Sequence, residues 1–312
     1  MILKPFEPST LSRGQIALKN RLPEHHAKYH VILDDLRRQE AGDKGEGQVM
    51  KLLSSNALPE NTAILHNISL DAHFQTQIDI LILGSSWCLI LEVKNIKGVL
   101  YFTANPRQMV RLLEDGREEK LGSPESQIEY YSMGLRSLLN EMNLPTIPIY
   151  GAVVFAFQNS LVKSPPTKTK ALIGRELISY IWSLPNNEQL IDPIKVGSQI
   201  LKHVKPISPF PLCNRYGIDS MHLISGVECP SCGTFPMHKT LRTWYCPKCE
   251  QTNMAAHQHA LNDYYMLINN TISINEAIKF LHLRNRYEAY RILKSTCAKQ
   301  LGNSRSSRYE IK

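Results

Sequence analysis

The sequence predicts an α/β domain over about residues 1–200, a small cysteine-organised module at 211–256, and a basic helical segment at 257–312. Three observations carry that reading. Strand-like and helix-like apolar patterns alternate through the first part, as packed α/β layers require. Four cysteines fall into two CxxC pairs. The surplus of positive charge is confined to the last third. The length of 312 residues suits roughly two domains, or one with appendages, at about 100–200 residues each. Apolar residues at 43% and charged residues at 21% are ordinary globular usage, which excludes disordered and fibrous classes. The longest apolar run, Ala152–Phe157, is strand-sized, far short of the ~20 residues that span a bilayer. The first residues lack an apolar signal core. The expectation is a cytoplasmic protein with no membrane partner.

The elements follow in order. Val31–Glu40 reads as a helix of an N-terminal extension. Ala41-Gly42-Asp43 interrupts it, and Lys44-Gly45-Glu46-Gly47 opens a second helix ending near Leu53. Strand signals cover Thr62–Ile68, Gln77–Leu83, Trp87–Lys94 and Val99–Phe102. Glu125–Glu141 is a helix entered through Ser123-Pro124, where proline loses nothing by lacking an N–H. Ile149–Phe157 is apolar with few polar breaks and reads as a buried central strand. Residues 163–170 are a loop, and 171–204 are mainly helical. No internal repeat or low-complexity tract interrupts the chain.

Residues 1–199 hold 21 Lys+Arg and 21 Asp+Glu, whereas residues 200–312 hold 15 and 7, so the whole net charge of +8 lies after residue 199. A basic appendage on a neutral body fits a polyanion partner; a merely soluble basic domain is the alternative.

The chemistry starts at a hairpin. Gln77-Ile-Asp79-Ile-Leu-Ile-Leu83 and Trp87-Cys-Leu-Ile-Leu-Glu92-Val-Lys94-Asn95 flank Gly84-Ser85-Ser86, two apolar strands around a turn. A turn centred on Ser85-Ser86 makes paired numbers sum to 171, which sets Asp79 opposite Glu92. Opposed side chains share a face with Cβ atoms about 4.5–5.5 Å apart, and Lys94, two residues on, joins them. Two such carboxylates repel unless a cation intervenes. A hard divalent ion such as Mg²⁺ suits oxygen ligands and leaves room for water and phosphate. Metal-assisted hydrolysis follows, with the lysine placed to orient water or offset charge. A solvated surface ladder of charges is the alternative.

Asp79 followed by Glu92-Val93-Lys94 resembles the D…ExK core of the PD-(D/E)xK nuclease superfamily. Gln77-Ile-Asp79 with Glu92-Val-Lys94-Asn95 resembles, more narrowly, the nuclease-related domain called NERD. Gly45-Glu46-Gly47, Pro124-Glu-Ser-Gln127 and the strand Ile147–Phe155 match that family in order, so the resemblance covers about residues 40–160. Ile78-Asp79 replaces the superfamily's Pro-Asp. Gln127-x-x-x-Tyr131 also looks like a motif of RecB-like nucleases, and its two residues share a helix face; a helix cap and a packed tyrosine are the alternative. The resemblance implies a restriction-endonuclease-like mixed sheet flanked by helices. It implies a nuclease acting on DNA phosphodiesters, with Glu46, Asp79 and Glu92 binding Mg²⁺ or Mn²⁺, Lys94 assisting the attacking water and Gln127 in the site. For Glu46 the helix dipole alone is a sufficient reason for an acid in a first turn.

Cys229-Pro-Ser-Cys232 and Cys246-Pro-Lys-Cys249 are separated by 13 residues. Four thiolates so spaced make a closed tetrahedral Zn²⁺ site, structural rather than catalytic. The module resembles a zinc ribbon, with Trp244 and Tyr245 packing its core. Whether it touches nucleic acid or only braces a junction is open at this level. His257 and His259 are surplus to a saturated ion. Cys88 reads as a core residue.

The last segment reads as a helix-turn-helix. Ser273-x-x-Glu276 is a capping box, Ala277, Ile278, Phe280 and Leu281 form an apolar face, and a second helix runs Tyr287–Ser295. Arg284, Arg286, Arg291 and Lys294 are placed for phosphates, and Arg305-Ser-Ser-Arg308-Tyr309 forms a candidate wing. A plain helical hairpin is the alternative. Two functions stay open: a Mg²⁺-dependent deoxyribonuclease with DNA-binding accessories, RNA not excluded, or a non-catalytic DNA-binding regulator on a nuclease-like scaffold. The full set Glu46, Asp79, Glu92 and Lys94 favours the first, since a binding module has no need of it.

Overall fold

The computed structural model describes residues 1–71, 75–156, 160–185, 188–205, 208–302 and 307–311. In chain order its elements are β1 (Ile2–Lys4), α1 (Thr10–Arg21), α2 (Tyr29–Ser54), β2 (Ala63–Asp71), β3 (Gln75–Leu83), β4 (Cys88–Lys94), β5 (Gly98–Ala104), β6 (Arg107–Leu112), β7 (Glu118–Leu121), α3 (Pro124–Glu141), β8 (Ile149–Phe155), β9 (Ser160–Ser164), β10 (Lys170–Ile173), α4 (Glu176–Ser183) and α5 (Pro193–His203). They continue with α6 (Leu212–Tyr216), β11 (His238–Lys239), β12 (Trp244–Tyr245), β13 (Thr252–Asn253), α7 (Ala256–Leu267), β14 (Thr271–Ser273), α8 (Ile274–Leu281), α9 (Arg286–Thr296), β15 (Lys299–Leu301) and β16 (Arg308–Glu310). Two compact units result: Met1–Pro8 with Glu40–Ile207, and Ser9–Gln39 with Ser208–Lys312. No helix among the described residues is long and apolar enough to cross a membrane.

The first unit is a mixed sheet in the order β1-β2-β3-β4-β8-β10. β2, β3 and β4 pair antiparallel, while β4–β8 and β8–β10 pair parallel. Strands covered on both faces need apolar residues at nearly every position, which accounts for the runs in β4 and β8. One face packs Leu81 and Ile90 against Leu135 and Leu138 of α3 and Val196 and Ile200 of α5. The other packs Ile80 and Leu89 against Val49 and Leu53 of α2 and Leu177 and Ile181 of α4. A second sheet, β7-β6-β5-β9, adds Leu100, Phe102 and Met109 to the first of these cores.

Two local expectations change. The break at Ala41-Gly42-Asp43 does not occur, because α2 is continuous from Tyr29 to Ser54. One interior glycine costs a helix about 1 kcal/mol, which a long, cooperatively propagated helix absorbs. β6, β7 and β9 lie where no strand is expected, because their half-buried faces mix charges with apolar residues. β10 likewise begins the stretch read as helical.

The second unit recruits residues 9–39, expected as an extension of the α/β domain. Arg21 explains why. Its side chain is fully buried, sits 4.8 Å from the ring centroids of both Phe235 and Phe280, and pairs with Asp263 at 2.8 Å. Its Nη1 donates to the carbonyls of Ile224 and Gly226 at 2.9 and 3.0 Å. The cysteine module and the helices after it, expected as separate domains, share one core: Cys229, Met237, Trp244 and Cys246 pack with Ala260, Phe280, Ala289 and Leu293. Breaking a buried charge pair costs about 3–5 kcal/mol. Arg21→Ala should therefore destabilise this unit by about that much in urea denaturation. Arg21→Lys should rescue little, since an ammonium lacks the planar fork that stacks and bridges.

Candidate active site and metal centres

The β3–β4 ladder pairs Ile80 with Leu91, Leu81 with Ile90, Ile82 with Leu89 and Leu83 with Cys88, so paired numbers sum to 171 as expected. The ladder stops at Ile80–Leu91. One step beyond, the Val93 N–H donates to Asp79 Oδ2 at 2.8 Å, so the carboxylate stands in for a strand carbonyl. Strand alternation slips there: Leu81 and Ile78 share one core although three positions apart, and so do Leu65 and Ile68 on β2. The slip on β2 falls at Asn67, held at φ 50°, a conformation asparagine tolerates better than most side chains. The interruption falls at Asp79, beside the other candidate site residues.

Glu92 and Lys94 alternate with Leu91 and Val93, which pack on the α2 face; their own side chains therefore lie on the α3 face. Glu92 is 4% exposed. Its Oε1 accepts from Lys94 Nζ at 2.5 Å, while its Oε2 is buried with no hydrogen-bond partner among the described residues. Lys94 Nζ also reaches Gln127 Oε1 at 3.3 Å, so the Pro-x-x-Gln helix start of α3 meets the ExK strand. Ser123 caps that helix by accepting from the Ser126 N–H. Burial, then the Glu92 and Glu46 charges, holds Asp79 well above the usual carboxylate range. Burial raises Glu92 too, against the pull of Lys94. Tyr131 is raised by burial and by Glu92 and Asp79, which puts it beside the same pair.

Glu46 arrives from the other side, on α2. Its Oε2 lies 2.7 Å from Nε2 of His66, a buried ring with Phe6 edge-on at 5.0 Å. The three carboxylates do not form one tight cage: among the described residues, only the four cysteines bring three or more such ligand atoms within 4.8 Å of one another. His66 was not singled out in the sequence. Its signal is faint, a lone histidine inside an apolar strand.

Gly45 permits this approach. A Cβ there would stand 2.7 Å from Asn95 Cβ, and Asn95 Nδ2 donates to the Ala41 carbonyl at 2.6 Å. At Gly42, three residues earlier in the same helix, a Cβ meets nothing within 4 Å. Alanine gains about 1 kcal/mol of helix propensity at either site, but overpacking costs about 1–3 kcal/mol. Gly42→Ala should raise the melting temperature. Gly45→Ala should lower it and reduce activity, and thermal denaturation of the two variants checks the pair.

The cysteines form two matching knuckles. Gly233 N–H donates to the Cys229 carbonyl and Glu250 N–H to that of Cys246, at 2.8 and 3.0 Å. Both turns end in the left-handed region, Gly233 at φ 69° and Glu250 at φ 60°. The sulfurs of Cys229 and Cys249, and of Cys232 and Cys246, are 3.6 Å apart. Sulfurs about 2.3 Å from a tetrahedral Zn²⁺ stand about 3.8 Å from each other, so the cluster fits zinc. It is far too open for disulfides, which need about 2.05 Å. Hydrogen bonds with the side chain and backbone of Thr234 pull the Cys232 thiol down to about 6. Against an N–H from Gln251, burial and neighbouring sulfurs drive Cys249 up to about 12. Four sulfurs this close ionise together only around a cation. His257 is no ligand: its Nδ1 accepts from Trp244 Nε1 at 3.1 Å and its Nε2 lies 3.3 Å from Thr296 Oγ1. It ties the module to α9.

The capping box at Ser273 and Glu276 is present, and α9 is capped by Asn285. Arg284, Arg286, Arg291 and Lys294 are all exposed. Arg284 Nη2 donates to the Lys239 carbonyl at 2.7 Å and Arg286 Nη1 to Asn275 Oδ1 at 2.8 Å. Arg291 and Lys294 stack on Tyr287 and Tyr290, at 5.7 and 5.5 Å. β15 and β16 pair antiparallel after α9, and β16 includes Arg308 and Tyr309 of the candidate wing. Its Arg308 pairs with Glu276 at 2.8 Å, and Arg305 lies outside the described residues.

Residues 41–156 match the family described as "Nuclease-related domain", NERD. That segment contains Glu46, Asp79, Glu92, Lys94 and Gln127. No curated protein matches the chain. Among solved structures, the small subunit of the heterodimeric restriction endonuclease R.BspD6I is similar at 13% identity, over 52% of this chain and 76% of that one, with a TM-score of 0.19. So low a score has no bearing on the fold.

Proposed function

We propose that the chain, whose residues 41–156 match the nuclease-related domain family, is a Mg²⁺- or Mn²⁺-dependent deoxyribonuclease whose site is Asp79, Glu92 and Lys94, with Glu46 and Gln127 in support. The observation that carries the reading is Glu92 Oε2. A buried carboxylate oxygen with no partner, one strand from a second raised carboxyl, is costly unless something positive completes it. Oxygen donors of this kind fit a hard divalent cation.

Asp79 and Glu92 would hold the ion, and Glu46, fixed by His66, would face it from α2. A bound divalent cation supplies polarisation of the phosphoryl oxygen and a more acidic water. The chain's own residues supply the rest. The Val93 N–H fixes one oxygen of Asp79. Glu92 Oε1 and Gln127 Oε1 hold the Lys94 ammonium in place, so its charge is already aimed where negative charge develops. Its free donor can orient the attacking water. The surplus charge of the second unit supports a polyanion substrate. Unpaired thiols at Cys88 and Cys213 support a cytoplasmic, reducing setting.

The test is a cleavage assay on supercoiled, linear and single-stranded DNA and on RNA, with Mg²⁺ or Mn²⁺. Metal-dependent cutting of DNA is expected; cutting of RNA alone would transfer the site to another substrate.

A further inference from the structure

The second unit holds 19 Lys+Arg against 10 Asp+Glu, a net of +9, whereas the first holds 17 against 18, a net of −1. Within that basic unit, one surface stands out. Ala289, Ile292 and Leu293 of α9 are buried in the core. Tyr287, Tyr290, Arg291 and Lys294 occupy i, i+3, i+4 and i+7 of the same helix, a spacing that puts them on one outward stripe. Tyr287 is 68% exposed and Tyr290 38%, although most large apolar side chains of this unit are buried. Each cation lies over the tyrosine one turn before it. Stacking pre-orders the long side chains and so lowers the entropy lost when they meet a ligand.

The stripe continues onto the four-cysteine module. The bond from Arg284 Nη2 to the Lys239 carbonyl sets β11 against the start of α9, and the Lys239 ammonium sits 5.5 Å over the Trp244 ring. Burial lowers the pKa of that ammonium; the Glu288 charge raises it, and the nearby Arg291 and Arg284 charges lower it. The Glu288 carboxylate is itself engaged by the Arg284 backbone N–H at 3.1 Å. Three cations, Lys239, Arg284 and Arg291, gathered around the one carboxylate of Glu288 favour an anionic ligand.

We propose that β11 and α9 form one duplex-DNA-binding surface: the Tyr287–Lys294 stripe lies along a groove with Arg291 and Lys294 on the phosphates of its edge, and Lys239 and Arg284 grip the flanking phosphates. The topology supports a duplex over a flexible strand. α9 follows α8 across the short connection 282–285 and precedes the β15–β16 pair, the element order of a helix-turn-helix with a wing, and a major groove about 12 Å wide admits one helix. The zinc module is then part of the reader and not merely a brace. This inference rests on the nucleic-acid substrate proposed above, though not on cleavage.

Fluorescence anisotropy of the full, zinc-loaded chain with a 20-base-pair duplex tests it, with Ca²⁺ in place of Mg²⁺ to suppress cutting. Arg291→Ala with Lys294→Ala should weaken binding at least about tenfold and reduce the salt slope by about 2, because each phosphate contact contributes about 0.9. Lys239→Gln, which spares the module's fold, should reduce the slope by about 1. Lys195→Ala, in the first unit, should change neither. Unaltered binding in the double variant overturns the proposal, as does tighter binding to single strands or RNA than to duplex. Duplex binding through this face by a chain that cuts no DNA when Mg²⁺ or Mn²⁺ is restored would refute the nuclease site and leave the surface standing.

Discussion

Glu92→Gln should abolish cleavage, by at least about a thousandfold, while leaving the protein folded and, without divalent metal, more stable than the wild type. The two halves have one cause. Glu92 is buried, and one of its oxygens has no partner among the described residues. Burial already pushes its carboxyl towards the protonated form, so the ionised side chain is a liability to the metal-free fold. An amide of the same shape removes that liability and still accepts from Lys94. It also removes the charge that would hold a cation, and several kcal/mol of transition-state stabilisation go with it, at about 1.4 kcal/mol per tenfold. Stability gained where activity is lost marks a strained functional residue. Thermal denaturation in a metal-free buffer, run beside a cleavage assay, reads both. A variant that is both inactive and less stable would mean that Glu92 is only a structural partner of Lys94.

Removing zinc should unfold the second unit. Structural zinc in small modules is worth roughly 10–16 kcal/mol, as much as the whole stability of a typical domain, about 5–15 kcal/mol. Here the loss would spread, because Cys229 and Cys246 belong to the same core as α7, α8 and α9. Cys246→Ser, or a chelator, should release one zinc per chain by elemental analysis. Limited proteolysis should then digest residues after about 208, while the six-stranded sheet, with its own two cores, stays protected. Loss of zinc without greater protease sensitivity would contradict a structural role.

Much of this architecture was legible in the sequence for a physical reason: period-2 alternation and a short turn fix a hairpin register. The sum of 171 set Asp79 opposite Glu92, and the ladder keeps that sum from Leu83–Cys88 to Ile80–Leu91, one step short of the pair. The Ser123-Pro124 helix start and the Ser273–Glu276 capping box were legible because capping depends on residues within one turn. What could not be read depends on distant partners. Arg21 looks like any basic helix end until Asp263 and two phenyl rings close around it. The slip at Asn67 and the seat of His66 beside Glu46 arise from how α2 and β2 meet. β7 is too polar to announce itself as a strand and is ordered by pairing with β6.

The central claim is that the opened end of the β3–β4 hairpin cuts DNA. The most direct test compares the wild type with Asp79→Asn, expressed and purified in parallel, on supercoiled plasmid with Mg²⁺ or Mn²⁺. The side chain keeps its shape and its acceptor for the Val93 N–H, so only the charge is lost. The account predicts nicked or linear plasmid from the wild type, none without metal, and a rate at least about a thousandfold lower for the variant. Equal cleavage by both proteins would assign the activity to another site or a contaminant. No cleavage by the wild type on any nucleic acid would leave a DNA-binding regulator on a nuclease scaffold.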